Sequence, residues 1–148
     1  MSGIDLVAVL LFAVLSGLAA LHFYWAMGGL WPGIDEKSLA RRVVGSPAVR
    51  RMPSRPVTVV VAGLLALAAL WPLMWTALIP YPLPQALVWL GMIGLAIVFL
   101  GRGIAGYTPV FRAHFPEEPF ASLDRRYYSP LCLAIGALFV LLILLARL

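Results

Sequence analysis

Charge is what this chain has least of. Only 11% of its 148 residues are Asp, Glu, Lys or Arg, and 63% are hydrophobic, whereas soluble domains carry roughly 25% charged residues. A water-soluble fold of this length has too little interior to hide so much apolar surface, so the natural solvent is a bilayer. Cysteine is scarcer still. Cys132 is the single one; it excludes an intrachain disulfide and any cysteine-built zinc or iron–sulfur site, and its place inside an apolar run suits a small packing residue. The chain has no Walker loop, dinucleotide glycine motif or H-E-x-x-H, and no nucleophile elbow, which speaks against ATP-driven pumps and hydrolases. No apolar run carries acids or bases in series, so an ion pump working alone is disfavoured. No repeat of solenoid period is present.

What the chain does have is four apolar runs, at about 4–27, 57–79, 85–101 and 129–146. Crossing a hydrocarbon core of roughly 30 Å takes about 20 helical residues, and the runs approach or exceed that. The expected fold is therefore all-α: a polytopic membrane protein whose four transmembrane helices form an antiparallel bundle, one membrane domain over 1–148. The first run begins without Lys or Arg, carries Asp5 and ends in aromatics, so it reads as a retained helix rather than a signal peptide. Ala13 with Gly17, Ala62 with Ala66, and Gly91 with Gly94 are candidate close-packing residues. Pro72 should disturb the last turns of the second helix. Trp71, Trp75 and Tyr81 read as an interfacial belt. Asp35 is placed to cap a short helix through Val44 at the membrane surface, with an irregular basic loop as the alternative. Ser129 followed by Pro130 reads as the N-cap and first residue of the fourth helix.

Two long loops, about 28–56 and 102–128, share one side. They hold Lys37, Arg41, Arg42, Arg50, Arg51, Arg55, Arg102, Arg112, Arg125 and Arg126, with Arg147 alone opposite. Positive-inside bias then puts both long loops in the cytoplasm and both termini outside. The same placement accounts for the net charge of +5, and nucleic acid is not expected as a partner.

The candidate site grows from the end of the first run, Leu21-His22-Phe23-Tyr24-Trp25-Ala26-Met27-Gly28-Gly29. His22 is the histidine within an apolar run, and on a helix it shares a face with Trp25. It lies about five residues from the helix end, roughly 7 Å deep. The topology brings Arg102, Asp124, Tyr127 and Tyr128 to the same layer, and a helical Asp124 is spaced to accept the hydroxyl of Tyr128. Intramembrane ionisable groups commonly face the bundle and mark function. Each residue also has a plain structural reading: His22 bonded to a backbone carbonyl, Tyr24, Trp25 and Trp31 as an aromatic belt, and Asp124-Arg125-Arg126 as a solvated helix start. His22 and His114 make a poor haem or metal pair; neither metal nor cofactor is expected.

The first stretch, together with Leu123-Asp124-Arg125-Arg126-Tyr127-Tyr128-Ser129-Pro130-Leu131-Cys132-Leu133, resembles a family of small four-helix bacterial inner-membrane proteins known only as a domain of unknown function. The shared patterns are H-x-x-W-x-x-G-G and a D-R-x-x-Y-S-P-L-C-like start to the fourth helix. The resemblance spans nearly the whole chain, implies a bacterial inner-membrane location and carries no activity or cofactor. It singles out His22, Trp25, Gly29, Asp124, Arg125, Tyr128 and Ser129, to which the topology adds Arg102 and Tyr127. The expected function is binding of a lipid or hydrophobic small molecule, or service as a subunit of a membrane complex, at the cytoplasmic end of the bundle. Two alternatives stand beside it. One is a small membrane enzyme with His22 as proton carrier and Asp124 or Tyr128 as orienter. The other is a transport or permeation homo-oligomer with Ala13 and Gly17 at the contact.

Overall fold

The computed structural model describes residues 2–48 and 51–145; Arg50 and Arg147, counted above, lie outside them. Among the described residues there is no strand. The helices are α1 (Gly3–Ala26), α2 (Glu36–Val43), α3 (Arg55–Trp75), α4 (Gln85–Ala105), α5 (Pro109–His114), α6 (Phe120–Leu123) and α7 (Ser129–Leu145). A π turn over Asp124–Tyr128 joins α6 to α7, making one continuous rod, Phe120–Leu145. That rod, α1, α3 and α4 are each long and apolar enough to cross a membrane, and the chain reads as an integral, multi-pass membrane protein.

The long helices pack chiefly as two pairs, α1 on α3 and α4 on α7, and the pairs meet along α3–α4 and α1–α7. Leu11, Leu15, Met92, Phe139 and Leu142 are fully buried where they meet. Within the second pair the approach is reciprocal. Gly103 receives the side chain of Leu133, and Gly136 receives that of Leu100, at 2.6 Å from where a Cβ would stand in each case. The crossed numbering means that α4 and α7 run in opposite directions. Leu64, Leu90, Ile97, Val98 and Leu144 point outward and are exposed, a greasy exterior that a bilayer solvates and water does not.

The indoles expected in a belt instead tie helices together. Trp71 Nε1 donates to the carbonyl of Val88 (3.1 Å) and Trp75 Nε1 to that of Leu142 (3.2 Å). Gly91 makes room for the Trp71 ring, whereas nothing lies within 4 Å of a Cβ at Gly94 or Gly17. Ala13 and Ala66 are exposed and Ala62 is buried.

Helix limits depart from the apolar runs at three places. α3 stops at Trp75, four residues before the run does. Pro72 offers no N–H to the ladder, the Thr76 hydroxyl donates to the Pro72 carbonyl (3.1 Å), and Ala77 turns to φ 56°. α4 continues beyond residue 101 to Ala105, because Leu133 packs on Gly103 and Arg102 is anchored by α7. The last rod begins at Phe120, so Ser129 is not an N-cap. It is αR and fully buried inside the rod. The wider π turn just before Pro130 relieves the clash its ring would otherwise make one turn back.

Both long loops fold onto one end of the bundle and onto each other. Asp35 caps α2 as expected, its carboxylate accepting from Ser38 N–H at 2.7 Å. Leu39 and Ala40 are buried and α2 touches α6. Arg41 donates to the Glu118 carbonyl (2.9 Å), Glu117 N–H to the Gly45 carbonyl (3.3 Å), and the Tyr128 hydroxyl to the Arg42 carbonyl (3.0 Å). Gly45, at φ 70°, lies directly under the Phe120 ring, which any Cβ there would strike.

Candidate functional site

Where the two helix pairs diverge beneath this cap they leave a cavity of about 530 Å³. Its walls are mostly aliphatic and aromatic, and polar tips are carried by His22 and Trp25 from α1, Trp31 from the turn that follows, Arg102 from α4, Tyr128 from the π turn and Cys132 from α7. The α1 turn that follows forms part of the rim. Trp25 Nε1 donates to the Trp31 carbonyl (2.7 Å), and Trp31 N–H donates back to the Tyr24 hydroxyl oxygen (3.3 Å). Trp31 and Pro32 thus fold back to line the cavity.

His22 is held by its own helix. Its Nδ1 lies 2.8 Å from the Leu18 carbonyl, and its ring stands edge-on to Trp25, centroids 5.0 Å apart. A carbonyl oxygen only accepts, so Nδ1 bears the proton.

Arg102 is the charged side chain of the cavity wall, and its charge is answered from behind. Its guanidinium forms an ion pair with Asp124 and donates to the Ser129 hydroxyl oxygen at 3.3 Å. That hydroxyl in turn donates to the second Asp124 oxygen at 2.8 Å. Asp124 is 2% exposed and the Arg102 side chain 33%. The π turn makes this possible. Closing the backbone from Ser129 to Asp124, five residues apart, brings the two side chains to one face; α-helical spacing favours residues three and four apart. Gly106 completes the nest, since a Cβ there would meet Ser129 Oγ and stand 2.7 Å from Asp124 Oδ2. The ring of Phe111 covers the guanidinium, centroid 4.7 Å from Cζ, and Phe120 lies tilted beside Tyr128, ring centroids 5.9 Å apart.

Of the residues singled out from sequence, the fold brings His22, Trp25, Arg102 and Tyr128 to one cavity, with Asp124 and Ser129 behind it. Three stand elsewhere. Gly29 packs on the Tyr24 ring. Arg125 is exposed, its carbonyl accepting from the Tyr107 hydroxyl (3.0 Å). Tyr127 is exposed, with the Arg126 guanidinium 5.5 Å from its ring. Asp124 does not bond Tyr128, because both its oxygens are engaged and the phenol reaches Arg42 instead. Sequence reasoning missed Phe111, Phe120 and Gly106. The aromatics were visible as loop residues, but only the folding of loop on loop aims them at Arg102 and Tyr128. Among the described residues no group of three His, Cys, Asp or Glu side chains could hold a metal ion.

The model of a family described as a protein of unknown function, DUF3995, matches residues 15–139. The chain belongs to that family. The matched span takes in both the His22 and the Asp124–Cys132 stretches. No curated protein and no solved structure matches the chain significantly, so the DUF3995 family brings no activity with it and the site is argued from its geometry.

Proposed function

We propose that this DUF3995 protein resides in the bacterial inner membrane as an antiparallel four-helix bundle, both long loops cytoplasmic, and binds a lipid or hydrophobic small molecule at the loop end. The observation that carries the reading is the cavity of about 530 Å³. Ligand sites are typically apolar pockets of roughly 300–1,000 Å³ with a few convergent polar groups, and this one has an imidazole, a phenol and a charge-compensated guanidinium. Orientation rests on the cationic residues of the two loops and on the positive-inside bias. The contacts support the binding reading over proton transfer by His22, whose ring bonds to Leu18 while Asp124 and Tyr128 bond elsewhere.

Native mass spectrometry of the gently extracted protein tests the proposal. A copurifying apolar adduct should be present in the wild type and lost in Val61→Trp, which fills the cavity from α3, with weaker retention in His22→Ala. An adduct kept unchanged in Val61→Trp would overturn it. Reporter fusions at Ala48 and after Leu148 should respond on opposite sides of the membrane.

A further inference from the structure

We propose that the ligand of this cavity ends in an uncharged hydroxyl, an alcohol or a phenol, which donates its proton to Nε2 of His22; this rests on the cavity being the binding site. The inference comes from counting which hydrogen-bonding capacities the protein has already used. His22 Nδ1 donates to the Leu18 carbonyl, so the neutral ring keeps its lone pair on Nε2. No bond to a protein atom engages Nε2, and since no buried side-chain polar atom among the described residues lacks a partner, this nitrogen is accessible. The Tyr128 hydroxyl has spent its single proton on the Arg42 carbonyl and can only accept further. The Trp25 N–H is consumed by Trp31. His22 and Tyr128 therefore both seek a donor, and the Trp25 indole is satisfied.

Arg102 decides the charge of the ligand. A bare guanidinium in an apolar wall would call for a phosphate or carboxylate. Here Asp124 answers that charge within the protein, and Phe111 covers one face of the guanidinium. An anion would gain little net attraction and would set its own charge in an apolar setting near the Asp124 carboxylate. What Arg102 retains is spare N–H groups. A hydroxyl satisfies both needs: it donates to His22 and accepts from Arg102. An ether or a hydrocarbon end leaves Nε2 without a donor, and the unmet acceptor weakens binding.

The test uses the full chain in nanodiscs and the fluorescence of Trp25 and Trp31, which line the cavity. The probes are farnesol, its methyl ether, farnesyl phosphate and a prenylated phenol of similar bulk. Farnesol or the phenol should bind about five- to tenfold tighter than the ether, the worth of one hydrogen bond; whichever of the two binds tighter identifies the source of the hydroxyl. In His22→Phe the preference for hydroxyl over ether should vanish, with the ether bound at least as tightly as by the wild type because no acceptor is left unmet; retained ether binding also shows that the variant is folded. Should that variant fail to fold, the wild-type ratio of alcohol to ether decides. Equal binding of alcohol and ether, both abolished in Val61→Trp, would leave the cavity reading intact and overturn the hydroxyl. Tighter binding of the phosphate would overturn it in favour of a cationic site. No binding of any probe, or binding indifferent to Val61→Trp, would overturn both.

Discussion

At the scale of single residues, the arrangement around Arg102 is asymmetric. Asp124 is almost wholly enclosed, whereas a third of the Arg102 side chain remains open. Removing the arginine strands a carboxylate in the interior; removing the aspartate strands a cation that can still reach solvent. Arg102→Leu should therefore destabilise more than Asp124→Leu. Breaking a fully buried pair costs about 3–5 kcal/mol; the first variant is expected near that range and the second below it. Pairing both substitutions should recover part of the loss, as thermal unfolding in mild detergent would show. Gly106→Ala intrudes on the same nest from α4's end and should cost about 1–3 kcal/mol, the usual penalty of overpacking. A Gly106→Ala protein as stable as the wild type would mean that the Asp124–Ser129 contact is looser than described.

At the scale of elements, the short pieces matter as much as the long helices. α2 is only eight residues long, too short to stand alone in water, and it persists through its cap and its contact with α6. Hydrogen bonds from Ser38, the backbone N–H first and the hydroxyl second, hold the Asp35 carboxyl below its ordinary value of 3.8. A carboxyl depressed in the folded state stabilises the fold above its unfolded pKa, and that support is lost as pH falls through the folded value. α2 should accordingly loosen only in acid, below about pH 4. Asp35→Ala should show the same loosening at neutral pH, as a drop in the hydrogen-exchange protection of the Ser38 amide. The π turn has a comparable role: it lets Pro130 sit inside a continuous rod and brings Asp124 and Ser129 to one face. Nothing in Asp-Arg-Arg-Tyr-Tyr announces a π turn, and Ser-Pro announces the opposite, a helix start. Local preference lost there because a buried hydroxyl gains a carboxylate and a guanidinium at once.

At the scale of the whole molecule, the two helix pairs are tied at the end away from the loops by indole hydrogen bonds and parted at the loop end by the cavity. Trp71→Phe and Trp75→Phe keep most of the ring volume and lose one interhelix bond each, to α4 and to α7. Each should lower stability by about 1 kcal/mol. The two residues lie one turn apart on α3 and bond α4 and α7, which pack on each other, so the double variant should depart from additivity. Strict additivity would mean that α4 and α7 respond independently despite their packing. Equilibrium unfolding of the three variants in the same detergent measures this. Four apolar runs, their spacing and the cationic loops were legible in the chain because hydrophobic length and charge bias act along the sequence, residue by residue. His22, Arg102 and Tyr128 at one depth followed from counting turns. What the chain could not disclose were the long-range choices. The Asp124 carboxylate turned to Arg102 rather than to Tyr128, the phenol crossed to the Arg42 carbonyl, Phe111 covered a guanidinium, and Arg125 and Tyr127 faced outward. Each is a competition between partners far apart in sequence, and it is settled only when packing brings every contender to the same place.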